Sequence, residues 1–300
     1  MRIFSTGWSD GVDGPGHRWV IYLKGCNFRC RWCASPEGIS PEPEILFYPD
    51  RAPYAEAACP YGAVTKSAES RNLDRERCAQ CPDILCFRTW RHPAFEYAGE
   101  ETSIDRVVAR AREFRPFFAS DGGVTFGGGE PTLQADEVLQ TLAALRKEKI
   151  HTAVETNAGT VEAKRFVGAV DLLICDLKCV SPDLHREWIG AEVAPVLETL
   201  RAAAAGQPDF LVRVPLITGM NDGEKETERI AEFLSVLAGQ RESLRVEVLR
   251  MHHIGAPKYA ALGREYPMID VPVPPPALAE AFVARLTERG LNASLGGYEQ

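Results

Sequence analysis

The chain lacks the features that would tie it to a membrane or to a nucleic acid. No apolar run approaches the roughly 18 residues of a membrane-spanning helix. The N-terminal stretch MRIFSTGWSDGVDGPGHRW has no apolar core of the kind a secretory leader carries, so a cytoplasmic location is expected. There is no excess of positive charge: 34 Lys and Arg stand against 42 Asp and Glu, a net charge of −8. That argues against a generally basic face working on nucleic acid or on a membrane surface. Hydrophobic content of 45% and charged content of 25% are ordinary globular values. Cysteine is the exception, with nine in the chain, seven of them within residues 26–86. A reducing compartment disfavours structural disulfides, so this clustering points to metal ligation.

Hydrophobic periodicity supplies the rest of the frame. RWVIYLK (18–24) reads as a buried strand after a glycine-rich opening. Residues 39–100 are proline-rich and irregular, and are expected to form a small inserted module held by metal rather than by a core. From residue 101 strands and helices alternate. Helices are expected at 103–115 and 134–149, near 160, at 194–205, 223–238 and 277–290, with a short one in SPDLHREW. Strands are expected at 122–126, 151–156, 171–178, 210–217 and 243–251. Alternation of this kind gives a parallel sheet. Polar residues gather where strands end: Cys26, Gly128, Glu155, Asp176, Asp222 and His252. Such placement suits a barrel or an open α/β sheet. The expected fold is therefore α/β, a partial (β/α)6 barrel of TIM type formed by 1–38 and 101–300, with 39–100 as an inserted ferredoxin-like iron–sulfur module.

KGCNFRCRWCASPEG places three cysteines, Cys26, Cys30 and Cys33, in a Cys-x3-Cys-x2-Cys pattern with no fourth nearby. A structural zinc takes four ligands, and a 4Fe–4S cluster usually takes four thiolates. Three thiolates on a tight loop can hold three irons of a cluster and leave the fourth open to a small molecule. Zinc with a distant fourth ligand remains the alternative on spacing alone. With Trp32 just before the last cysteine, the motif resembles the radical S-adenosylmethionine enzymes. DGPGHRWVIYLKGCNFRCRWCASPEG resembles, nearly end to end, the activating enzymes of glycyl radical enzymes. The resemblance recurs in order through GGVTFGGGEPTLQ, DLKCVSPDLHREWIG, VRVPLITGMND and HHIGAPKYAALGREYP.

That resemblance implies an enzyme in which a reduced 4Fe–4S cluster on Cys26, Cys30 and Cys33 cleaves S-adenosylmethionine. The products are methionine and a 5′-deoxyadenosyl radical, which takes hydrogen from a backbone glycine of a partner, a glycyl radical enzyme. A flavodoxin or ferredoxin is implied as electron donor. By the same resemblance Gly128, Gly129 and Glu130 lie along the methionine end of the cofactor. Asp176 and Lys178 stand at its carboxylate, His252 reaches the adenosyl part, and Trp32 flanks the cluster. Asp13 is a candidate for gripping the partner's glycine loop, with a turn aspartate as the alternative. The resemblance leaves open whether a cation sits near Glu155 and Asp176. His17, His92, His151 and His185 receive no role.

A second set follows: Cys59-Pro60, then Cys78, Cys81 and Cys86. In two-cluster ferredoxins the cysteine before proline joins the other run, which would gather these four thiolates on one auxiliary 4Fe–4S cluster. Zinc on the same sulfurs, or a decayed module, are the alternatives. Cys175 and Cys179 are read as small buried hydrophobes. Activity on another peptide or small molecule, or a non-catalytic iron–sulfur or zinc protein, are the rival functions.

Overall fold

The computed structural model describes residues 1–51, 59–66, 71–82, 84–88, 91–241 and 243–296. In chain order its strands are β1 (Arg2–Asp10), β2 (His17–Leu23), β3 (Glu44–Phe47), β4 (Val64–Lys66), β5 (Arg71–Leu73), β6 (Phe95–Ala98), β7 (Glu100–Glu101), β8 (Gly123–Gly128), β9 (His151–Thr156), β10 (Leu172–Asp176), β11 (Asp209–Leu216), β12 (Arg245–Arg250) and β13 (Asn292–Leu295). The helices are α1 (Arg75–Ala79), α2 (Leu85–Arg88), α3 (Ile104–Phe114), α4 (Ala135–Lys147), α5 (Pro182–Ile189), α6 (Ala194–Gly206), α7 (Glu224–Gln240), α8 (Ala256–Ala261) and α9 (Pro276–Glu288).

The main sheet has nine strands in the order β13-β12-β11-β10-β9-β8-β2-β1-β7. Seven of them, from β2 through β8 to β13, run parallel, each beside its predecessor. That sequential winding is consistent with a partial TIM barrel. β1 and β7 close one edge antiparallel. The inner strands are continuous apolar runs because both of their faces are covered. Leu172, Leu173, Ile174 and Cys175 of β10 are all buried.

The long amphipathic helices lie where periodicity places them. Val138, Leu142 and Leu145 of α4 and Ile230, Phe233, Leu234 and Leu237 of α7 face the core. Ser103 caps α3 by accepting from the Arg106 backbone N–H at 3.2 Å. The helix expected near 160 is a 3₁₀ segment, Val161–Phe166, capped by Thr160. The sheet also exceeds the expected six parallel strands, because four-residue β13 carries too little pattern to be read alone.

Of the expected inserted module, residues 52–58, 67–70, 83, 89 and 90 lie outside the described residues. Its described parts are two antiparallel pairs, β3 with β6 and β4 with β5, and the helices α1 and α2. They enclose a small core of Phe47, Val64, Ala94 and Phe95, against which Cys59 and Cys86 pack. Glu44 of β3 pairs with Lys24, just after β2 of the main sheet, at 3.1 Å and with Arg264 at 2.5 Å. Among the described residues no helix is long and apolar enough to cross a membrane.

Candidate functional site

A cavity of about 710 Å³ opens at the C-terminal ends of the parallel strands. Cys26, Cys30 and Cys33 all line it, on the loop that leaves β2. The loop is pinned to the end of α5. The Arg29 N–H donates to the Ile189 carbonyl at 2.8 Å, and Arg31 N–H to that of Trp188 at 3.2 Å. Phe28 packs edge-on against His185 at 5.2 Å between ring centres. Within the loop Cys33 N–H donates to the Cys30 carbonyl at 3.1 Å. The Cys26 sulfur accepts from Phe28 N–H at 3.4 Å and from the Asn157 side-chain amide at 3.6 Å.

Burial pushes the Cys26 thiol up to about 12 and raises those of Cys30 and Cys33. Iron arriving at these sulfurs must therefore displace protons, which couples metal binding to proton release. Among the described residues no three His, Cys, Asp or Glu side chains are placed to hold one metal ion. A tetrahedral zinc would draw its sulfurs to roughly 2.3 Å from a single centre. A cubane of four irons takes one thiolate per iron and spreads them wider. The donor chemistry of three thiols lining one cavity fits three sulfurs on a cluster.

Charged side chains stand opposite the loop. Lys178, nearly buried, donates to Asp176 at 2.5 Å, and both line the cavity. The proximity of Asp176 and of the Cys30 sulfur raises the Lys178 pKa against the opposing effect of burial. Arg213 of β11, only 3% exposed, bridges Glu155 at 2.7 Å and Glu247 at 2.9 Å and also donates to the Val12 carbonyl. It holds the turn bearing Asp13 against the cavity, while Thr125 donates to the Asp13 carbonyl at 2.7 Å. Glu155 and Asp176 thus each face a side-chain cation. Arg213 was missed by sequence reasoning, and its one signal was a cation inside the apolar strand FLVRVPLI.

Glycines bring the backbone close on the adjoining wall. Gly128 has φ +110, and a Cβ on Gly129 would stand 2.2 Å from the Gly25 carbonyl oxygen. Gly129 N–H donates to the Leu23 carbonyl at 2.8 Å, locking this turn to the root of the cysteine loop. Trp32, Gly128, Gly129, Asp176, Lys178 and His252 all line the cavity, as expected together. Glu130 is not among the lining residues. Its carboxylate is fully buried and accepts from Thr132 N–H at 3.0 Å, the Thr132 and Thr156 hydroxyls at 2.6 and 2.7 Å, and Asn157 N–H at 2.7 Å.

Cys59, Cys78, Cys81 and Cys86 line a second, small and mainly apolar cavity with Ile45, Pro60 and Phe95. Burial and the neighbouring thiols raise Cys78 and push Cys86 up to about 11. Cys175 and Cys179 are fully buried in the main core, which fits packing.

A family model described as the Radical SAM superfamily matches residues 20–234. The isethionate sulfite-lyase activating enzyme of Desulfovibrio desulfuricans is 34% identical over 272 residues, 86% of this chain and 85% of the relative. The choline trimethylamine-lyase activating enzyme of Oleidesulfovibrio alaskensis is 32% identical over 282 residues, 91% of this chain and 89% of the relative. Among solved structures, Streptococcus suis SuiB bound to precursor peptide SuiA superposes with a TM-score of 0.53 at 14% identity, over 93% of this chain and 48% of SuiB. At that identity the likeness speaks of fold alone.

Proposed function

The chain belongs to the Radical SAM superfamily and, within it, to the activating enzymes of glycyl radical enzymes, and from that premise we propose how its residues divide the work. Cys26, Cys30 and Cys33 would hold a 4Fe–4S cluster beside S-adenosylmethionine in the large cavity. When reduced, such a cluster would supply the electron for reductive cleavage of that cofactor, the chemistry by which hydrogen is taken from a backbone glycine of the partner enzyme. The protein's part is to bind, orient and exclude water.

Lys178, aimed by Asp176, meets the cofactor's carboxylate as a point charge. The Gly128–Gly129 backbone lies along the amino-acid end, where side chains would not fit. Trp32 flanks the cluster and His252 the adenosyl end. Glu130 acts from behind the wall by fixing Thr132, Thr156 and Asn157, the last of which touches the Cys26 sulfur. Asp13, presented at the cavity by its Arg213-anchored turn, receives the partner's glycine loop.

We assign residues 1–38 and 101–300 to the radical-generating barrel and 39–100 to an inserted ferredoxin-like module. Its four cysteines carry one auxiliary 4Fe–4S cluster, closed to the cofactor. Four cysteines lining one small cavity support this. A flavodoxin or ferredoxin as electron donor rests on the family resemblance.

The observation that carries the reading is the placement of all three motif cysteines on a cavity that Lys178, Gly128 and Gly129 also line. Anaerobic incubation of the reduced protein with S-adenosylmethionine and a cognate glycyl radical enzyme should release 5′-deoxyadenosine and give the doublet spin-resonance signal of a glycyl radical. Formation of 5′-deoxyadenosine with no radical on any glycyl radical enzyme tested would instead favour a peptide or small-molecule substrate.

A further inference from the structure

The turn after β9 meets the cysteine loop through side-chain amides. Asn157 is buried there, only 7% exposed. Its Oδ1 accepts from Gly159 N–H at 2.8 Å, which fixes which end of the amide is nitrogen. Nδ2 has two hydrogens and two acceptors, Asn27 Oδ1 at 2.8 Å and the Cys26 sulfur at 3.6 Å. Asn27 in turn donates to the Gly159 carbonyl at 3.2 Å.

The amide is also held from behind. Asn157 N–H donates to Glu130 Oε2 at 2.7 Å, and the Thr156 hydroxyl donates to Glu130 Oε1 at 2.7 Å. Phe28, two residues beyond Cys26, lies so close to Gly159 that a Cβ there would stand 2.3 Å from its ring. Asn157 is therefore a fixed donor aimed at a sulfur. The same sulfur takes a second N–H from the Phe28 main chain at 3.4 Å.

We propose that Asn157 raises the reduction potential of the cluster by donating an N–H to the Cys26 sulfur. This rests on the reading given above, in which Cys26, Cys30 and Cys33 would hold a 4Fe–4S cluster. Reduction adds negative charge to such a cluster, and its thiolates share that charge. An N–H aimed at a thiolate therefore favours the reduced form over the oxidised one. Asn157 acts through Cys26 rather than on a substrate, so its effect falls on how easily the electron is loaded. Asn27 ties the same two loops together through Gly159 and Asn157 rather than through the sulfur, which separates tuning from mere support.

The test is an anaerobic redox titration of the cluster-loaded protein without S-adenosylmethionine, followed by spin resonance, with iron content measured alongside. The cluster in question is the one whose signal changes when S-adenosylmethionine is then added, and the auxiliary cluster serves as an internal reference. Asn157→Ala should lower the reduced-to-oxidised ratio at a fixed potential about tenfold, a shift of about 59 mV to lower potential, and leave the other cluster unmoved. Asn27→Ala should stay within about twofold of the wild type in that ratio. No shift in Asn157→Ala, an equal shift of both clusters, or an equal shift in Asn27→Ala would overturn the assignment. Should Asn157→Ala lose iron, Asn157→Ser keeps an acceptor for Gly159 N–H, withdraws the amide from the sulfur, and should show the same shift. Iron loss in both variants would mark Asn157 as a prop of the loop and overturn the assignment as well. A wild-type spectrum in which no signal responds to S-adenosylmethionine would instead sink the underlying reading of the cavity.

Discussion

At Glu130, a carboxylate is held in the interior by four donors, and the chain gains rigidity at the rim of its cavity as a result. Burial raises its pKa, while the Thr132, Thr156 and Asn157 donors pull it back. Replacing it with Gln would turn an amide NH₂ toward groups that are themselves donors. Glu130→Gln should lower the thermal midpoint by about 5 °C or more, as expected for a broken buried hydrogen-bond set. An unchanged midpoint would contradict this. The glutamate was visible in GGGEP, but its direction was not. Side-chain alternation along β8 ends at Gly128, whose positive φ turns the chain, so no period predicts where the next side chains point. The three motif cysteines were legible from their spacing, and all three line one cavity.

Between elements, Arg213 does most to fix the charged wall. In the sheet it stands opposite Asp176 of β10 and Glu247 of β12, and it reaches Glu155 of β9 and the turn after β1. Removing it leaves two buried or half-buried carboxylates without their cation. Arg213→Met should cost about 3–5 kcal/mol, read as a fall in the thermal midpoint of roughly 10 °C. Adding Glu155→Gln and Glu247→Gln should restore part of that fall. A midpoint equal to the wild type's would show that these ions are solvated rather than paired. The long helices α4 and α7 were readable because their apolar faces repeat over several turns. The register that gives Arg213 its partners was not, because it is set by how neighbouring strands slide against one another.

Across the whole molecule, two groups of cysteines occupy two different settings. Cys26, Cys30 and Cys33 share a large polar cavity with Lys178 and the glycine wall, whereas Cys59, Cys78, Cys81 and Cys86 enclose a small apolar one. Roomy surroundings suit a cluster that meets a ligand, and enclosed surroundings suit one that meets only electrons. The alternation of strands and helices made the parallel sheet legible. The inserted part was legible only through its cysteines, since its core of Phe47, Val64, Ala94 and Phe95 is too small to leave a periodic trace. The most direct measurement is spin resonance of the reduced, anaerobically reconstituted protein before and after S-adenosylmethionine is added. With two clusters loaded, about eight irons per chain, the signal of one cluster should change and that of the other should not. A spectrum indifferent to the cofactor would contradict the claim that three cysteines leave one iron open.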